Sequence, residues 1–342
     1  MKQNILRLMA VALLMVITLT LVSETFGQRQ FDLADCREIG FSTEEDFWTQ
    51  GPVPADNNPI ISDGDLLGRY GRICARNRQL VQQFDVTQDM GLDAADLISI
   101  EAELVAFSTE LDSPYGNFKA GDLLTNHGAA IPNQALLAAF GQHPDLGLDA
   151  VHFIGQTDSI VRFLAIAQQQ ARDFWVRNPQ AFPGYLEEYG IDLWFSIEGT
   201  LAIPGAVMIL DGDLLSAADG KVVYHNSEWL SPPIPAGITQ RGVDFGLDAF
   251  GADCFGNSEP LRFSTEILYR HEDPALTFTD GDVLKFGGGI KEKNWDLTAG
   301  FEPVARMVGL DALTYPHWRE ECVERKEIYL PMIMRRFQRE PY

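Results

Sequence analysis

The chain contains four copies of one unit. Phe41-Ser42-Thr43-Glu44 recurs as Phe107-Ser108-Thr109-Glu110, Phe195-Ser196-Ile197-Glu198 and Phe263-Ser264-Thr265-Glu266. Each copy is followed by a second motif: Asp63-Gly64-Asp65-Leu66-Leu67, Ala120-Gly121-Asp122-Leu123-Leu124, Asp211-Gly212-Asp213-Leu214-Leu215 and Asp280-Gly281-Asp282-Val283-Leu284. An asparagine stands eleven to thirteen residues beyond the second aspartate, at Asn77, Asn133, Asn226 and Asn294. Each unit closes on Gly-Leu-Asp-Ala, at 91–94, 147–150, 246–249 and 309–312. One order of motifs repeated in this way requires four similar modules, each with an apolar face that a neighbour must cover.

The units run from 41 to 94, 107 to 150, 195 to 249 and 263 to 312. Within a unit the pattern is one of short strands. An apolar stretch leads into Phe-Ser-x-Glu, a turn at Asp-Gly-Asp leads into Leu-Leu, and a hairpin such as Ser216–Val223 follows. Asp-Gly favours turns because glycine accepts positive φ and aspartate bonds its own backbone. Gly-Leu-Asp-Ala then runs into the next Phe-Ser strand across a short linker, as from Leu97 to Phe107, which has the look of a further hairpin. The expectation is an all-β domain over residues 28–316, with about four strands per repeat stacked radially as a β-propeller. A two-sheet β-sandwich and an elongated β-array compete with it. Phe31-Asp32-Leu33-Ala34-Asp35 loosely echoes Gly-Leu-Asp-Ala ahead of the first Phe-Ser, so the chain ends could meet and close a ring.

Two segments break the repeat. Between the second and third units, Gln156–Gly190 predicts a helix capped at Thr157 or Asp158, with Ile160, Val161, Phe163, Leu164, Ile166 and Ala167 on one broad face. Pro179 ends that pattern, and Pro183-Gly184 begins a shorter piece. This insertion reads as a helical decoration on the sheet or as a lid beside a site. The tail from His317 to Tyr342 is helical in pattern and locally basic, with Arg335 and Arg336 adjacent; it would pack on the acidic body or reach for a partner.

Lys2 and Arg7 precede an apolar stretch from Leu8 to Val22 that is broken only by Thr18 and Thr20, the layout of a secretory signal peptide over residues 1–27. Thr25-Phe26-Gly27 suits cleavage ahead of Gln28, and the stretch is shorter than the ~20 apolar residues of a spanning helix. The mature form is expected to be secreted, with no membrane span. The net charge is -23, and removal of the leader makes the chain one unit more negative. Such a surface repels nucleic acid and anionic lipid and attracts divalent cations and basic partners. Four cysteines in an exported chain, Cys36, Cys74, Cys254 and Cys322, favour disulfides, and their wide spacing argues against a zinc site. A Cys36–Cys322 bond would tie the two ends together.

Every unit offers the same oxygen groups: the Phe-Ser-x-Glu glutamate, the Asp-Gly-Asp aspartates, the asparagine and the Leu-Asp-Ala aspartate. Such a density of oxygen ligands suits calcium, and Asp63, Asp65, Asp122, Asp211, Asp213, Asp280 and Asp282 are the candidate metal ligands. The spacing departs from a helix-loop-helix calcium loop, because glycine follows the first aspartate directly and no glutamate stands at the twelfth position. Ala120 also replaces the first aspartate in one unit. The competing role is structural: a polar residue present in every unit caps a turn or bonds a neighbouring backbone.

The succession of Phe-Ser-Thr-Glu, Asp-Gly-Asp-Leu-Leu and Gly-Leu-Asp-Ala resembles repeats of exported bacterial proteins. The resemblance covers about residues 41–315, leaves out the insertion and the tail, and brings no activity or binding residue with it. The chain has no Gly-x-Ser-x-Gly elbow, no His-Glu-x-x-His and no phosphate-cradling glycine loop. The six histidines are scattered singly. The expected function is a secreted, non-enzymatic repeat protein that binds an extracellular ligand or protein partner, or organises a surface, with calcium as its ion. The alternative is a propeller-type hydrolase with a metal in a central acidic pocket, where residues that differ between units, such as His152, His225 or His271, would converge with acids.

Overall fold

The computed structural model describes residues 32–202, 208–237, 242–252, 261–305 and 307–317. The leader, the tail beyond His317, Cys254 and Cys322 lie outside them. Among the described residues, short strands build five antiparallel sheets, four of four strands and one of two. No helix is long and apolar enough to cross a membrane.

The first four-stranded sheet takes β1 (Gly40–Phe41), and the small sheet pairs β2 (Phe47–Trp48) with β3 (Ile60–Ile61). The first sheet continues through β4 (Leu66–Gly68) and β5 (Arg72–Ala75). The second is β6 (Ala95–Ser99), β7 (Leu104–Phe107), β8 (Leu123–Thr125) and β9 (Ala130–Ile131). The third is β10 (Val151–Ile154), β11 (Asp192–Phe195), β12 (Leu214–Ser216) and β13 (Lys221–Tyr224). The fourth is β14 (Phe250–Ala252), β15 (Leu261–Phe263), β16 (Val283–Lys285) and β17 (Ile290–Glu292), and β18 (Leu313–Thr314) returns to the first sheet.

The sheets are therefore offset from the sequence repeats by one strand. The residues just after each Gly-Leu-Asp-Ala form the first strand of the next sheet. The Phe-Ser strand needs a partner along its free edge, and this strand supplies it. The last such strand, β18, has no later sheet to start and pairs instead with β1, placing Gly40 opposite Thr314 and Phe41 opposite Leu313. The two ends of the domain are joined this way. Leu33–Cys36, which overlaps the segment echoing Gly-Leu-Asp-Ala, is a 3₁₀ turn.

The four first strands also touch one another in order: β6 lies against β10, β10 against β14, β14 against β18 and β18 against β6. The motif serines join the sheets in the same sequence. Ser42, Ser108, Ser196 and Ser264 each donate a backbone N–H to the alanine of the Gly-Leu-Asp-Ala in their own sheet. Their hydroxyls donate to the leucine carbonyl of the next sheet, at Leu92, Leu148, Leu247 and Leu310. The motif phenylalanines Phe41, Phe107, Phe195 and Phe263 are fully buried, as are both leucines of each Leu-Leu pair. Burial of successive residues means that both faces of the Leu-Leu strands are covered, each side chain contributing about 1.5–3 kcal/mol.

Cys36 and Cys74 form a disulfide with Cα atoms 5.7 Å apart, pinning the 3₁₀ turn to β5. This corrects the expected Cys36–Cys322 bond: the 3₁₀ turn packs along β4 and β5, so the cysteine within bonding distance is the one on β5. In the insertion, helices span Thr157–Ala167, Arg172–Arg177 and Ala181–Tyr189. The last begins before Pro183, which falls in the first turn where its missing N–H breaks no bond. Ile160, Phe163, Trp175, Phe182 and Leu186 join the core that contains Phe153 and Leu193, so the insertion is a helical layer packed on the sheets.

Candidate metal centre

The second aspartate of each Asp-Gly-Asp closes its own turn. Ser62, Lys119, Leu210 and Thr279 donate their N–H groups to Oδ2 of Asp65, Asp122, Asp213 and Asp282 at 3.1, 2.9, 3.1 and 3.0 Å. The repeat asparagines Asn77, Asn226 and Asn294 each start a one-turn helix and donate N–H to Oδ1 of Asp65, Asp213 and Asp282. A side-chain nitrogen completes each set. Arg76, His225 and Lys293, the residues just before those asparagines, reach the aspartates at 2.5, 3.5 and 3.2 Å. In the second unit Pro132 stands in that place, and Arg172 from the insertion grips Asp122 with two bonds of 2.5 and 3.0 Å. Asp65, Asp122, Asp213 and Asp282 thus have both oxygens held by protein donors. They act as turn clasps, the structural role weighed against metal ligation.

The asparagine side chains link that turn to the end of the unit. Asn77, Asn133 and Asn294 donate to the carbonyls of Gly91, Gly147 and Gly309. They accept from the N–H of Met90, Leu146 and Val308. The middle glycine of Asp-Gly-Asp leaves room for this asparagine: a Cβ added at Gly64, Gly212 or Gly281 would lie 2.4, 1.8 or 2.4 Å from its amide nitrogen. The glycine of Gly-Leu-Asp-Ala takes positive φ, 69° at Gly91 and 75° at Gly147. Its bare Cα is covered by the motif glutamate of the same sheet. Glu44, Glu110, Glu198 and Glu266 lie on Gly309, Gly91, Gly147 and Gly246.

This packing sets one aspartate and one glutamate side by side in every sheet, and the four pairs converge. Asp149, Asp248 and Asp311 are buried and Asp93 half-buried, whereas Glu110, Glu198 and Glu266 are exposed and Glu44 half-buried, so the eight carboxylates form a cup with the glutamates toward its rim. Two sets bring their oxygens within 4.8 Å of one another: Glu44, Asp248 and Asp311, and Asp93, Asp149 and Glu198. Each set combines the pair from one sheet with the aspartate of the sheet before it. Asp93, Asp149 and Asp311 each have one oxygen, Oδ2, buried without a hydrogen-bond partner. Asp149 is only 5% exposed.

The electrostatics of the cup are unfavourable without a cation. Burial, then neighbouring carboxylates, push Asp93, Asp149 and Asp248 well above the ordinary carboxylate range. Asp311 is pushed up to about 9 and Glu44 to about 7 by the same causes in the same order. The first aspartates of Asp-Gly-Asp flank the rim. Asp63 is pushed up to about 7 by burial and then by Glu110, Asp89 and Asp46. Asp211 is pushed up to about 8 by burial and its hydrogen bond with Asp244, and Asp280 raises Glu44. Ala120 leaves the second unit without an acid at this position.

Of the residues singled out in the sequence, Asp63, Asp211 and Asp280 therefore stand beside the cup and Asp65, Asp122, Asp213 and Asp282 stand apart from it. The cup itself is made by the Leu-Asp-Ala aspartates and the Phe-Ser-x-Glu glutamates. Their recurrence in each unit was the available signal; their convergence was not. The donor set fits a hard cation: three carboxylates offer up to six oxygens, within the six to eight that calcium takes at about 2.3–2.6 Å. His152 does converge with an acid, Asp96, together with His317. His225 pairs with the clasp Asp213, and His271 accepts from the N–H of Asp273 in its own loop. Comparison with protein-family models, curated proteins and solved structures found no match to this chain.

Proposed function

We propose that this is a secreted, non-enzymatic binding protein, a four-bladed β-propeller whose axis is held together by calcium in the carboxylate cup, acting at or outside the cell envelope. The observation that carries this reading is the convergence of acids from different sheets, Glu44 with Asp248 and Asp311 and Asp93 with Asp149 and Glu198, with the Oδ2 atoms of Asp93, Asp149 and Asp311 buried and unpartnered. A native fold that gathers like charges in this way gains from a divalent ion, which reverses the repulsion and supplies the missing partners.

The propeller arrangement is supported by the cyclic contacts of the four first strands, by the serine bonds that pass from sheet to sheet, and by the pairing of β18 with β1. A sandwich or an open array has no need of that last pairing. The non-enzymatic reading is supported by the sameness of the cup, since a hydrolytic centre needs groups with different tasks; the convergence of His152 with Asp96 and His317 is the observation that favours the alternative, a propeller-type hydrolase. An exported protein meets calcium at the concentrations that match extracellular sites, about 10⁻⁴–10⁻³ M in dissociation constant.

Thermal melting of the mature protein in calcium and in chelator tests this. At a hundredfold excess over the dissociation constant, binding to the native state adds about 2.7 kcal/mol, which raises Tm by roughly 4–5 °C in a domain of this size. Asp149→Asn combined with Asp311→Asn should remove most of that rise. A shift below about one degree at saturating calcium would exclude the ion from the cup.

A further inference from the structure

We propose that Asp96, His152 and His317 form a second metal site of different chemistry, one that takes a borderline divalent transition metal of the zinc class in place of calcium. It is independent of the carboxylate cup. Asp96 and His152 lie three residues beyond the cup aspartates Asp93 and Asp149, inside the strands that those aspartates precede, and the two sites share no ligand.

The position is the one at which the repeats stop being alike. Two residues after the alanine of each Gly-Leu-Asp-Ala stand Asp96, His152, Gly251 and Thr314, four different side chains at one register position of the four mutually contacting strands. An asymmetric set of this kind is what the uniform cup lacks. His152 Nδ1 lies 3.1 Å from Asp96 Oδ1, and His317 Nε2 lies 2.9 and 3.0 Å from Asp96 Oδ1 and Oδ2. One ligand atom from each residue falls within 4.8 Å of the other two. Bonds of 2.0–2.2 Å to a tetrahedral zinc separate neighbouring ligand atoms by about 3.3 Å, so small movements suffice to admit the ion.

The surroundings fix the ligands from outside. The N–H of Phe153 donates to Asp96 Oδ2 at 2.7 Å. Thr314 Oγ1 lies 3.5 Å from Asp96 Oδ1 and itself accepts the N–H of Leu97 at 2.7 Å. The carbonyl of His317 accepts from Thr157 Oγ1 at the start of the inserted helix, which ties the third ligand to the body of the domain. The imidazoles point Nδ1 of His152 and Nε2 of His317 at the carboxylate, so each ring offers one nitrogen to an ion held there. Two imidazoles and one carboxylate select zinc-class ions over calcium, and three protein ligands leave a fourth position for water.

Zinc titration of the metal-stripped mature protein, kept in saturating calcium and read against a chromophoric zinc chelator, tests the site. One equivalent should bind, and cobalt(II) should give the visible absorption of a four- or five-coordinate ion. His152→Ala should weaken zinc at least tenfold and Thr314→Val by about 10–100-fold, the usual effect of a group that orients a ligand. Both should keep the calcium-dependent rise in Tm, which reports an intact fold and an intact cup. Failure of the wild type to take up zinc or to develop the cobalt spectrum would show that the three residues form only a hydrogen-bonded staple, and overturn the proposal. If His152→Ala fails to fold, His317→Gln serves in its place, and unchanged zinc affinity in a folded variant would equally overturn it.

Discussion

Ser42 Oγ donates a 3.0 Å hydrogen bond to the carbonyl oxygen of Leu92. Ser42 belongs to the sheet that holds both ends of the domain, and Leu92 leads into the first strand of the next sheet. The same bond recurs at the other three sheet boundaries, so the second residue of Phe-Ser-x-Glu serves as the seam between modules. Ser42→Ala leaves the buried Leu92 carbonyl without this donor and should cost about 1–2 kcal/mol. Urea denaturation should show a lower midpoint with an unchanged m-value; an unaltered midpoint would mean that the seam contributes nothing.

Stability without calcium should fall as pH rises. The cup carboxyls have folded-state values above their unfolded ones, so the native state binds more protons, and the stability this brings is complete below about pH 4 and lost as pH climbs through the folded values. For Glu44 and Asp311 those are about 7 and about 9. Melting in chelator between pH 5 and 9 should therefore give a falling Tm, and saturating calcium should flatten it. A Tm that rises with pH in chelator would contradict the convergence of ionisable acids.

Gly281 and Asn294 make a stringent test of the clasp. A methyl group at residue 281 would lie 2.4 Å from the Asn294 amide nitrogen, so Gly281→Ala should destabilise by about 1–3 kcal/mol through overpacking. Asn294→Ala should be costly too, since it removes the bonds to Gly309 and Val308. The double variant should lose less than the two single losses added together, because the clash disappears with the asparagine. Full additivity in chemical denaturation would rule out the contact.

Arg172 should matter more than a surface arginine does. Its guanidinium binds Asp122, whose side chain is fully buried. Arg172→Ala leaves that carboxylate with the Lys119 N–H and should cost about 2–4 kcal/mol, toward the lower end of what breaking a buried pair costs, because the arginine is partly exposed. Arg172→Met with Asp122→Asn should recover part of the loss. Equal stability of the single variant and the wild type would show that the insertion does not complete the second clasp.

Much of the local chemistry was legible in the sequence. Asp-Gly-Asp is a turn, the Leu-Leu segments are buried strands, and Ile160, Phe163 and Leu164 face inward on a helix, because turn geometry and periodicity depend on residues close together in the chain. The repeat also required that equivalent residues have equivalent surroundings, and Asp65, Asp213 and Asp282 have them. The tertiary structure decided which repeated acids share one place. Asp65 and Asp93 recur equally often, but one turns into a clasp with Arg76 while the other meets acids from three other sheets. Convergence depends on how modules pack across more than 200 residues, as with Glu44 and Asp248, and no spacing within a unit encodes it. The offset of the sheets by one strand and the choice of Cys74 as partner for Cys36 were decided the same way. Both follow from an edge or a surface that exists only once distant segments have met.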